Sequence, residues 1–66
     1  MRAERRLQLQ EGLDGLSDLD REIIALRDFE ELSNAEAAQI LGITEESAKK
    51  RHFRAIVRLK EAMSGL

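Results

Sequence analysis

Apolar residues recur along this chain at helical spacing from end to end. Leu9, Leu13 and Leu16 stand at i, i+4 and i+7, and Leu19, Ile23 and Leu26 repeat the interval after a break around Gly15. The first stretch predicts a helix that stops near Asp14 or Gly15, because Gly12 and Gly15 weaken its end. Ser17 is a good N-cap for a second helix, with Asp20 at the capping-box position and Ile24 and Phe29 flanking the inward stripe. That helix is expected to end near Glu31 or Leu32. Ser33 then caps a third, Asn34 to Leu41, with Glu36 three residues on. Gly42 can take the left-handed conformation that stops a helix, Ile43 packs the turn, and Thr44 caps a fourth helix. No Pro or Gly interrupts the chain from Glu45 to about Met63. Ala48, His52, Ala55, Leu59 and Met63 form its inward stripe, and Ser64, Gly65 and Leu66 read as a frayed end.

The predicted fold is all-α: a four-helix domain, residues 1–66, ending in a helix-turn-helix whose second helix suits the DNA major groove. The expected core is Leu13, Leu16, Leu19, Ile23, Leu26, Leu32, Ala38, Ile40, Leu41, Ile43, Ala55 and Leu59. A 66-residue chain buries only about 60% of the surface its unfolded form exposes, so a modest net stability is expected.

Composition narrows the function. There is no Cys and a single His, so neither a disulfide nor a metal site is expected. No nucleophile–base arrangement, Gly-rich phosphate loop or metal-ligand cluster is present, which argues against an enzyme, a cofactor or a small-molecule substrate. No apolar run is long enough for a membrane span, and the N-terminus lacks a signal-peptide pattern, so a cytoplasmic protein is expected. The net charge of −2 is unevenly spread. Residues 1–33 carry nine acids against five arginines, whereas residues 34–66 carry six bases against four acids. All six bases fall within KKRHFRAIVRLK, residues 49–60, on the helix that the motif assigns to the groove.

With these features in place, residues 13–63 resemble region 4 of bacterial sigma-70-family factors, most closely the extracytoplasmic-function group. The resemblance rests on Leu16-Ser17, Arg21-Glu22, Ile23 to Arg27, Leu32-Ser33, Glu36-Ala37-Ala38, Leu41 to Thr44, Ser47 to Arg51, Arg54-Ala55 and Leu59. It departs at Ala37 and Ala48, where similar sequences usually carry Ile and Val, and at His52, usually apolar; His52 reads as a packed histidine. The resemblance implies recognition of the promoter −35 element in double-stranded DNA and docking on RNA polymerase core through the β flap. It also implies an upstream domain missing here, so the chain is expected to be an excised C-terminal domain with Met1 added at the cut.

The resemblance brings Lys49, Lys50, Phe53 and Arg54 to base edges or the groove wall. Chemically, Arg54 and Lys50 can donate to guanine, and Phe53 can rest on a thymine methyl. Glu45 and Glu46 are read as helix-capping acids. Arg51 and Arg58 are phosphate candidates, and Ser33, Asn34 and Thr44 can donate to phosphate near helix N-termini. Leu7, Leu9, Ile24 and Phe29 remain once the core is filled, and are candidate contacts for the β flap or an anti-sigma factor. Two rivals stand beside this reading. Response-regulator output domains of the LuxR kind share a similar run, although Arg51-His52-Phe53-Arg54-Ala55 favours sigma. A helix-turn-helix fold kept only for protein interaction would suit the net charge and the small residues Ala37 and Ala48.

Overall fold

A computed structural model describes residues 3–64. The expectations for Met1, Gly65 and Leu66 lie outside them. Four helices follow in order: α1 Ala3–Asp14, α2 Asp18–Ile24, α3 Asn34–Leu41 and α4 Glu45–Ser64. A π-helical segment, Ala25–Phe29, continues α2. The described residues contain no strand, in keeping with the all-α expectation.

α4 is the spine against which α1, α2 and α3 all pack. Its 20 residues span about 30 Å at the helical rise of 1.5 Å per residue, close to the molecule's long dimension of 35 Å. Ala48, Ala55 and Leu59 are buried along its inner stripe, with Ile56 and Met63 half-buried beside them. Ala37 and Ala48 are both fully buried where α3 meets α4. Small side chains at that junction let the two helix backbones approach closely. The two alanines that depart from the pattern of similar sequences are therefore core positions of the helix-turn-helix.

The helix limits follow local rules. Ser17 Oγ accepts from the Asp20 backbone N–H, and Ser33 Oγ accepts from that of Glu36. Glu36 reaches back to the Ser33 N–H at 2.9 Å, completing a capping box. Gly42 ends α3 at φ 69°, ψ 33°, the left-handed conformation expected of it. Thr44 Oγ1 accepts from the Ser47 N–H and opens α4. The C-terminal end runs one residue beyond expectation, with Ser64 Oγ donating to the Lys60 carbonyl.

Tertiary packing corrects the predicted core at Ile24, Ile40 and Leu19, the last only half-buried and outside the core cluster, and it also limits Leu9 as a partner contact. Ile24, expected as a surface contact, is 2% exposed and packs with the fully buried Ile23. The buried face of α2 is centred between those two residues. Ile40, expected inside, is exposed, because α3 turns Ala37 and Ala38 inward. Leu9 is half-buried against the core, so only part of it is free for a partner.

Gly12 takes a part that its position near the helix end did not suggest. It is buried, and a Cβ there would lie 2.8 Å from Leu59 Cδ1 and 2.9 Å from Met63 Cγ. It marks the crossing of α1 over α4. Beyond Phe29, Glu31 adopts φ 58°, unusual for a side-chain-bearing residue. The next N–H, that of Leu32, closes the turn on the Leu26 carbonyl at 2.9 Å.

Candidate nucleic-acid interface

The first three turns of α4 present an exposed face of Lys49, Lys50, Phe53 and Arg54, with Arg51 beside it. Phe53 is 70% exposed although it is one of only two aromatic residues in the chain. Ala48, His52 and Ala55 on the other side anchor the helix, so the exposed face is held by packing rather than by its own contacts. Among the described residues, no acid lies in ion-pair range of Lys49, Lys50, Arg51 or Arg54. Those four cations are electrostatically uncommitted, and release of counterions from a bound polyanion can supply binding free energy through them.

Arg58 is placed differently. Its Nη1 donates to Asp20 Oδ2 at 2.8 Å, and the Asp20 side chain is 7% exposed. A carboxylate this deeply desolvated needs a cation, and Arg58 supplies one across 38 residues of sequence. Arg58, expected as a phosphate contact, is thus a strut between α2 and α4, with its side chain still more than half exposed. The same pairing corrects the reading of Asp20. Its backbone is capped by Ser17, but its carboxylate turns to Arg58 rather than back to the cap.

His52 packs as expected, at 21% side-chain exposure, and its Nε2 lies 2.8 Å from Asp28 Oδ2. This contact ties α4 to the π-helical segment directly behind the exposed face. Ser33 and Thr44 are exposed at the N-termini of α3 and α4. Their hydroxyl oxygens accept the caps, which leaves each O–H free to donate to a phosphate. Glu36 is held below the usual carboxylate range, first by the hydrogen bond from the Ser33 backbone N–H and then by that with the Ser33 side chain. Asn34 is half-buried, and its Oδ1 is buried without a partner.

Of the four apolar candidates for a protein contact, Leu7 and Phe29 are exposed, Leu9 is half-buried and Ile24 is core. Sequence reasoning passed over Arg27. It sits on the π-helical segment, and its Nη1 donates to the Leu32 carbonyl at 2.5 Å. It lines a cleft shared with Lys49, Lys50 and Arg54. Only the tertiary placement of that segment beside α4 reveals it.

A short α3, a glycine turn and a long basic α4 supported by two further helices define a helix-turn-helix DNA-binding domain. Residues 6–59 match the family model described as Sigma-70, region 4, and the chain belongs to that family. No curated protein and no solved structure matches the chain. The family is one of non-enzymatic DNA-binding domains through which sigma factors recognise promoters. The described residues hold no cluster of three or more potential metal ligands. No described helix is long and apolar enough to cross a membrane.

Proposed function

We propose that this domain reads the promoter −35 element with the first half of α4 and docks on RNA polymerase core to direct transcription initiation. The observation that carries the reading is the free basic face of Lys49, Lys50 and Arg54 around the exposed ring of Phe53. Arg54 and Lys50 donate to guanine O6 and N7, and Phe53 contacts a thymine methyl. Lys49 and Arg51 follow the groove wall, while Ser33, Asn34 and Thr44 meet the sugar–phosphate backbone. Leu7 and Phe29 supply exposed apolar contacts for the β flap, together with the outer edge of the half-buried Leu9. An anti-sigma factor would use the same surfaces, and the setting of the reaction is the cytoplasm.

Selection of bound duplexes from random DNA tests the reading. A recovered consensus, with affinity that falls steeply as salt rises, supports it. A flat or undetectable response to salt would favour a fold kept for protein contacts alone. Recovery of palindromic sites bound by a dimer would favour the response-regulator class.

A further inference from the structure

Phe53 is 70% exposed on the basic face of α4. The fold makes little use of its ring, because Ala48, His52 and Ala55 carry the packing of that part of the helix. Lys49 and Lys50, one turn earlier, and Arg54, the next residue, line one cleft with it. These three side chains are donors only, and among the described residues no acid lies in ion-pair range of them. Glu46 is the one acid lining that cleft. It stands seven residues before Phe53, about 10 Å along the helix, and so meets a different part of the groove.

A phenyl ring carries no hydrogen-bond donor or acceptor, so it cannot tell one base from another by hydrogen bonding. What it can sense in the major groove is apolar, and the apolar group there is a methyl on pyrimidine C5. Thymine always carries that methyl. Cytosine methylated at C5 carries it at the same ring position. The two bases differ in the substituent at C4, which the ring does not read. The flanking cations then decide which pair suits the site. Across the edge of a T·A pair they meet the adenine N6 amino group, a donor like themselves, beside N7. Across the edge of a methylated C·G pair they meet guanine O6 and N7, both acceptors. A methyl at one end of the edge and two acceptors at the other match this ring and its cations on a single base pair.

We propose that Phe53 reads the C5-methyl group rather than the base that bears it, so that cytosine methylation at the pair it faces raises the affinity of the domain for that DNA. The inference rests on the promoter-DNA reading above and adds a chemical class of ligand to it, duplex DNA bearing 5-methylcytosine. Methylation of that cytosine strengthens recognition, and loss of the methyl weakens it. The methyl contributes about fourfold in affinity, the factor that removing one such group from water corresponds to.

The test measures duplex affinity of the 66-residue chain by fluorescence anisotropy, for wild type, Phe53→Ala and Phe53→Leu, on the site recovered by selection. At each position of the site four pyrimidines are compared: thymine and uracil opposite adenine, cytosine and 5-methylcytosine opposite guanine. The members of each couple differ by the methyl alone. At one position the wild type should bind thymine about fourfold more tightly than uracil, and 5-methylcytosine about fourfold more tightly than cytosine. Phe53→Ala should lose both differences, and Phe53→Leu should keep part of each. Because the ring is exposed, the three chains should melt together, and the salt slope should not move, since no charge is removed.

A wild type indifferent to the methyl at every position would overturn the proposal. So would equal methyl responses in wild type and Phe53→Ala, which would assign the effect to duplex shape or to another side chain. A response to the thymine methyl with none to that of 5-methylcytosine would show that the base itself is read; the methylation inference would fall and the thymine contact would stand. A wild type that binds no duplex fails one step earlier and removes the promoter reading itself.

Discussion

The two halves of α4 belong to one uninterrupted helix, yet they treat their charges in opposite ways. From Glu45 to Arg54 the cations stand free, and the helix is fastened only underneath, by Ala48 and His52. From Ala55 to Ser64 the helix carries the load of the fold. Leu59 and Met63 meet α1 at Gly12, and Arg58 neutralises the buried Asp20 of α2. The lesson is that a basic run of sequence is not one functional unit. Arg54 and Arg58 lie one turn apart, and the acid facing the second is what separates an unpaired arginine from an ion-paired one.

Substitutions can break that contrast, beginning with the load-bearing half. Leu59→Ala should destabilise the domain by about 2–5 kcal/mol, since the cavity opens over Gly12 where α1 has no side chain to fill it. Urea denaturation measures it, and a cost below about 1 kcal/mol would mean that α1 does not bear on α4 as described. In the turn between the helices of the motif, Gly42→Val should cost about 1–3 kcal/mol, because a β-branched residue is strained at φ 69°. There is open space around that glycine, so the whole effect should come from the backbone. An unchanged melting temperature would contradict the left-handed cap.

The paired arginines give the sharpest comparison. Arg54→Ala should lower affinity for a selected site by about 1–3 kcal/mol and relax preference at one base pair, with stability nearly unchanged. Equal loss on matched and scrambled DNA would reassign Arg54 to phosphate. Arg58→Ala should do the reverse and cost about 1 kcal/mol of stability, while base preference in the selected sites stays the same. The figure is modest because Arg58 remains half in water, although the carboxylate it leaves is buried. A change of base preference in Arg58→Ala would erase the distinction between the two halves.

The smallest expected effect concerns pH. Glu36 is held below its ordinary value of 4.5, so its cap stabilises α3 above that value. The contribution is lost as pH falls through the lowered folded value. Glu36→Gln should therefore flatten the acid end of the stability profile and leave neutral pH almost unaffected. Melting curves between pH 3 and pH 7 for both chains measure it; parallel profiles would show that the capping box carries no pH dependence.

Much of this molecule was legible in the chain, for reasons that are local. Ser17, Ser33 and Thr44 cap helices within three residues of themselves, and Gly42 ends α3 through its own backbone freedom. The basic face of α4 needed only helical periodicity to be seen. What required tertiary structure is the choice among several possible faces. Ile24 and Ile40 both had a claim on the core, and the azimuths of α2 and α3 against α4 admitted the first and excluded the second. Gly12 looked like a weak helix end until α4 crossed it.

The sequence alone thus specified where each helix begins and ends and which one is basic, since those properties depend on neighbours a turn away. The pairing of Asp20 with Arg58, the burial of Ala37 and the position of Arg27 in a cleft beside the basic face of α4 were decided only by packing. They depend on distances between segments that are remote along the chain, and apolar burial, being non-directional, does not encode those distances residue by residue.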